Sequence, residues 1–189
     1  MKLETQNRLV VLALSFAFLS GAFGIGRVTP AFSPTKAEAQ VTEQESSERV
    51  LAKFENAHKL SDLELIALLK AVGFEGKAIR EAWAVAKKES TGRPLAHNGN
   101  TATGDNSYGL FQINMLGELG EERRAKFGLG SNAELLNPVV NAQIAHHMSN
   151  GGKDWSSWKG MTPRTLEWIE KFPDTKPKAK AIAEGKGNN

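Results

Sequence analysis

A chain of 189 residues with 40% apolar content can bury one sizeable core, and its length favours one domain with extensions over several domains. The formal net charge of +3 carries little information: residues 1–39 hold four Lys/Arg against two Asp/Glu, which leaves 20 basic against 19 acidic side chains in residues 40–189. The absence of cysteine excludes a disulfide framework, thiolate chemistry and the softest metal ligand.

Leu9 to Gly26 (LVVLALSFAFLSGAFGIG) is an apolar run without charge, preceded by Lys2 and Arg8 and followed by Arg27. It reads as a signal peptide or a membrane anchor, close to the lower limit of about 17–25 residues for a spanning helix, with Gly21, Gly24 and Gly26 weakening its end. Ala37-Glu38-Ala39 offers a small-x-small cleavage site before Gln40. The expected location is extracytoplasmic, secreted or membrane-anchored through residues 1–39, or carried in a phage particle.

Residues 40–60 mix Glu, Gln, Ser and Lys and read as a polar helix or linker. From Ser61 the pattern sharpens. Ser61-Asp62 can cap a helix striped by Leu65, Leu68, Leu69 and Val72 and ended by Gly73. A second helix begins near Lys77, with Ile79, Ala82, Trp83 and Ala86 on the same spacing, and runs out at Ser90-Thr91-Gly92-Arg93-Pro94. Residues 96–107 are rich in Gly, Asn, Thr and Asp and predict turns or a small hairpin, followed by the apolar Tyr108-Gly109-Leu110-Phe111-Gln112-Ile113. Asn137-Pro138 supplies a cap and an N1 proline for a third helix, striped by Val140, Ile144 and Met148 and closed by Gly151-Gly152. Leu166, Trp168 and Ile169 predict a fourth. The expected fold class is mainly α, helices around a small irregular β-hairpin insert, with a domain over residues 61–170. Residues 171–189 hold five Lys against Asp174 and Glu184 and form a basic tail, which leaves the body before it slightly acidic and without the basic stripe of a nucleic-acid binder.

The residue that bears most on function is Glu89. Ala82, Ala86 and Glu89 stand at i, i+4, i+7, so a carboxylate continues the apolar stripe of the second helix, while Lys87 and Lys88 leave toward other faces. Partial desolvation and the negative end of the helix dipole both disfavour its charged form and are expected to raise its pKa. A carboxyl kept protonated near neutral pH is what a general acid requires. Many helix-end glutamates simply turn to solvent, and periodicity alone does not separate the two readings.

The surrounding residues do. Glu89-Ser90, a Gly/Asn-rich insert and then Gly109-Leu110-Phe111-Gln112 resemble the soluble lytic transglycosylase signature, and residues 107–114 (SYGLFQIN) are similar to the sheet segment of animal lysozymes. Residues 83–89, residues 104–107 (GDNS), Asn137-Pro138 with Asn141-Ala142, and residues 154–158 (DWSSW) resemble phage tail-associated lysozyme-like domains. The resemblance to the lysozyme-like superfamily covers roughly residues 60–159. It implies a lysozyme-like fold and cleavage of peptidoglycan between N-acetylmuramic acid and N-acetylglucosamine, with Glu89 protonating the glycosidic oxygen and no cofactor. It also implies substrate contacts from Ser107, Tyr108, Gln112, Asn114 and Asn141. Where animal lysozymes carry a second carboxylate this chain has Ser107, which favours a lytic transglycosylase route; Asp105, two residues earlier, is the candidate second carboxylate for hydrolysis, or a turn residue bonded to nearby backbone amides. Tyr108 and Asn141 have an alternative reading as packing residues.

Trp155 and Trp158 read as core tryptophans rather than sugar platforms. His146 and His147 are adjacent and leave a helix in different directions, which predicts exposure and no metal site. His97, with Asn98, is expected nearer the cleft, as a solvated turn residue or, alternatively, a substrate contact. Expected partners are peptidoglycan strands, a membrane at the N-terminal segment and, for a phage protein, other virion components. A competing reading is a non-catalytic glycan-binding or structural virion module that keeps the cleft without the chemistry; the presence of Glu89 argues against it.

Overall fold

The computed structural model describes residues 36–173, so the reading of residues 1–35 as a leader and of residues 174–189 as a basic tail lies outside the described residues. Among the described residues no helix is long and apolar enough to cross a membrane. The described residues form six α-helices and three two-residue strands in the order α1 (Lys36–Phe54), α2 (Asp62–Val72), α3 (Lys77–Ser90), β1 (His97–Asn98), β2 (Ser107–Tyr108), β3 (Ile113–Asn114), α4 (Gly117–Phe127), α5 (Pro138–Met148) and α6 (Pro163–Glu170). Residues 37–39, the expected cleavage site, lie in the first turn of α1. This helix packs against α2 and ends in Phe54, which is buried in the core.

The start of α2 is written locally. Ser61 Oγ accepts from Glu64 N at 3.3 Å and Glu64 Oε2 accepts from Ser61 N at 2.8 Å, a reciprocal capping box. The Ser61 hydroxyl and then its amide hold the Glu64 carboxyl below its ordinary value. Gly73 closes the helix at φ 110°, a left-handed conformation that glycine adopts without strain. Between these ends Leu65, Leu68 and Leu69 are buried as their spacing predicts.

The middle of α3 departs from a one-sided stripe. Ala82, Trp83, Ala84, Val85 and Ala86 are all buried in succession, because α2 covers one side of the helix and α6 another. Trp83 meets Trp168 edge-on at 5.9 Å and Phe172 at 5.5 Å. Small residues on either side of one tryptophan let neighbours approach on every face, and each fully buried large apolar side chain contributes roughly 1.5–3 kcal/mol. The helix that carries Glu89 is therefore the central one.

The insert is a three-stranded antiparallel sheet in the order β1-β2-β3, with His97 opposite Tyr108, Asn98 opposite Ser107, Ser107 opposite Asn114 and Tyr108 opposite Ile113. The expected hairpin thus gains a third strand. Helix α4, absent from the sequence expectations, buries only Gly120; of its two large apolar residues Leu119 is exposed and Phe127 is half-buried. It is fixed through Arg123, whose guanidinium donates to the Asn114 carbonyl; burial lowers the pKa of that group.

Asn137 caps α5 as expected, accepting from Val139 N at 2.9 Å ahead of Pro138 at N1. The buried face, however, is Val139, Asn141, Ala142, Ile144 and Ala145, with Val140 and Met148 only half-buried and Ser149 as C-cap. In α6 Leu166 is exposed while Trp168 and Ile169 turn inward, and Arg80 of α3 binds the Ile169 carbonyl through two nitrogens at 2.8 and 2.6 Å.

Candidate active site

The last turn of α3 opens onto a cleft of about 590 Å³. One wall is the helix end with Lys88 and Glu89. Another is the sheet, which contributes Asp105, Ser107, Gln112 and Asn114. The third is the segment from a 3-10 turn at Ser156–Trp158 to the start of α6, including Lys159, Thr162 and Arg164. A larger depression of about 680 Å³ around Gly73, His146 and Gly152 lies apart from Glu89.

Ser90 fixes the helix end to the sheet. It is buried, its Oγ lies 2.8 Å from the Leu110 carbonyl oxygen, and it accepts from the amides of Gly92 and Arg93 at 3.1 Å. Thr91 follows at φ 58° and turns the chain away. The Glu-Ser pair of the sequence thus divides its work: the serine anchors the turn, and the glutamate before it faces the cleft.

Glu89 retains 25% exposure of its side chain, and its carboxylate is not isolated. Lys88 Nζ lies 2.9 Å from Glu89 Oε1 and also donates to the Trp158 carbonyl at 2.8 Å. This differs from the expectation that both lysines leave toward other faces. Adjacent helix positions do point apart, but the Trp158 carbonyl bends the Lys88 stem back across the helix end. Lys87 does leave as expected, pairing with Asp62 at 2.9 Å.

Across the cleft, both oxygens of Asp105 are engaged. Oδ2 accepts from Asn98 Nδ2 at 2.7 Å, and Oδ1 accepts from the Ser107 hydroxyl. Its partners are side chains of β1 and β2, whereas the turn reading anticipated backbone amides. Ser107 is buried beneath it. Asn114 Oδ1 accepts the amide of Leu116 at 3.0 Å and that of Asn106 at 3.3 Å, and its Nδ2 donates to the Gly104 carbonyl at 2.9 Å. Gln112 adopts φ 46°, an uncommon conformation for a residue with a side chain, and its Nε2 donates to the Ala96 and Gly109 carbonyls. That bent loop is what brings Gln112 to the cleft.

Of the residues singled out in the sequence, Glu89, Asp105, Ser107, Gln112 and Asn114 line one cleft; Tyr108 and Asn141 do not. Tyr108 stacks on His97 with ring centres 4.3 Å apart. Asn141 is fully buried, accepting from Phe111 N and donating to the carbonyls of Tyr108 and Leu135, each at 2.9 Å. It shapes the β2-β3 turn from behind. Trp155 and Trp158 are core residues as read, though Trp158 also lines the cleft. His146 is half-buried against Phe74 and the Gly73 carbonyl rather than exposed, because α5 packs on α2. Among the described residues no group of three or more His, Asp or Glu is placed to hold a metal ion.

Lys159, Thr162 and Arg164 had no signal in the sequence, since polar residues in turns and at helix starts are ordinarily solvated, and nothing in the sequence pointed Lys88 toward Glu89. A family model described as a lysozyme-like domain matches residues 66–160, half of the chain. No curated protein and no solved structure matches it.

Proposed function

The chain belongs to the lysozyme-like domain family, and from that membership we propose that it degrades peptidoglycan by cleaving the β-1,4 bond between N-acetylmuramic acid and N-acetylglucosamine. Glu89 is the general acid that protonates the glycosidic oxygen. The observation that carries this reading is the half-buried Glu89 carboxylate, set at the end of the central helix and facing a polar cleft across from the sheet. The same carboxylate, once deprotonated, is the base for the second step.

The reading favours the lytic transglycosylase route, in which the 6-hydroxyl of the muramic acid closes on its own C1. Supporting it, Ser107 replaces a carboxylate on the sheet, and Asp105 has each oxygen occupied by an internal hydrogen bond. Hydrolysis through Asp105 is the second reading, supported by the presence of that carboxylate on the same cleft. The substrate lies outside the cytoplasm, and the apolar run of residues 9–26 supports export or carriage in a particle that crosses an envelope.

Digestion of purified peptidoglycan with mass spectrometry of the products tests both levels. Muropeptides ending in 1,6-anhydro-muramic acid are expected from the earliest time points. Products heavier by one water from the start would make the protein a hydrolase, and no muropeptide release at all would overturn the enzymatic reading.

A further inference from the structure

We propose that Lys88 is a positioning residue for Glu89, and the inference rests on the acid role just assigned to that glutamate. Lys88 is not a surface lysine that happens to lie nearby. Its side chain keeps only 12% exposure, and its ammonium is held from two directions, by Glu89 Oε1 at 2.9 Å and by the Trp158 carbonyl at 2.8 Å. Among the described residues no other ion pair or side-chain hydrogen bond engages the Glu89 carboxylate. The remaining charged groups on the cleft are Asp105, bound to Asn98 and Ser107, and the exposed Lys159 and Arg164.

The consequence follows from which oxygen is taken. A carboxylic acid delivers its proton in one direction, and an ammonium on Oε1 leaves Oε2 to carry the proton toward the glycosidic oxygen. As the proton leaves, the carboxylate becomes fully anionic, and the bond from Lys88 becomes charge-assisted on both sides. Starting from the enzyme form in which Glu89 is protonated, the interaction is therefore stronger after proton transfer than before it, which is the condition for accelerating the chemical step rather than binding. The Trp158 carbonyl matters because it fixes the ammonium on the 3-10 turn, an element independent of α3. Glu89 is thus oriented by two walls of the cleft through one lysine.

The test uses the full chain in detergent and soluble, uncross-linked peptidoglycan strands, with kcat and KM read from muropeptide release. K88M is expected to lower kcat roughly tenfold to a hundredfold while KM stays within about twofold, with an unchanged circular dichroism spectrum. The chain has no cysteine, so K88C introduces a single thiol that can be alkylated under denaturing conditions before refolding. Alkylation with 2-bromoethylamine rebuilds an ammonium of lysine length and is expected to restore most of kcat; alkylation with iodoacetamide leaves a neutral group of similar bulk and is expected to restore none. Wild-type kcat in K88M, a loss confined to KM, or equal rescue by both reagents would overturn the proposal. An unmodified chain that releases no muropeptides would instead overturn the enzymatic reading, and the role of Lys88 with it.

Discussion

Asn141 stands against Gly109, so close that a Cβ built on the glycine would overlap Asn141 Nδ2 and the Leu135 carbonyl oxygen. The pair locks the β2-β3 turn to α5: Gly109 takes φ 74°, and the asparagine side chain satisfies the backbone of Tyr108, Phe111 and Leu135. Asn141→Leu removes the side-chain hydrogen bonds to the backbone of Tyr108, Phe111 and Leu135, two of them buried, and at about 1 kcal/mol or more for each it is expected to cost roughly 3 kcal/mol. Gly109→Ala, which adds overlap to a left-handed φ, is expected to be as damaging. Urea denaturation measures both, and a loss below about 1 kcal/mol in either would contradict this account of the turn.

Glu89→Gln keeps the size of the side chain and an oxygen for Lys88 but has no proton to donate. Wall-lytic activity is expected to fall to background with circular dichroism unchanged. Burial alone would make the neutral side chain as stable or more so, but the Lys88 ammonium loses its anion. The net expectation is a thermal stability within roughly 1 kcal/mol of the unmodified protein. Retained lysis in a folded variant would remove Glu89 from the chemistry.

Asp105→Asn separates the two routes for breaking the bond. An amide at this position can still accept from the Ser107 hydroxyl or from Asn98, so the turn survives. If Asp105 only braces the sheet, most activity is retained and anhydro products persist. A loss comparable to that of Glu89→Gln would assign Asp105 a direct part in the reaction.

The capping box at the start of α2 predicts a pH effect. The folded-state Glu64 carboxyl lies below the ordinary value of 4.5, because the Ser61 hydroxyl and amide bind its anion. A depressed carboxyl contributes stability that is full above the unfolded value and is lost as pH falls through the folded one. Glu64→Gln removes the titration and keeps the cap. The melting temperature of the unmodified protein is therefore expected to fall more steeply than that of the variant below about pH 4.5. Parallel curves in acid would refute it.

What the amino-acid sequence determined by itself was whatever short-range chemistry decides. Ser61 with Asp62 and Asn137 with Pro138 marked two helix starts, Gly73 one helix end, and the apolar spacing through Ala86 placed Glu89 at the end of α3. Each of these depends on residues within one or two turns of one another. The tertiary structure decided the rest. Helix α4 carries no broad apolar stripe in its sequence, and Arg123 and Gly120 attach it to the chain around Asn114 and Met115. Asn141 resembled a cleft residue, yet it is enclosed because the turn after β2 lies on α5, 33 residues away in the chain from Tyr108. Helix geometry separates neighbours in sequence and by itself turns Lys88 away from Glu89; the Trp158 carbonyl, 70 residues further on, supplies the acceptor that brings it back. A carboxylate's position on its helix is a local property, whereas its hydrogen-bond partners are set by whichever distant segment packs against the helix end.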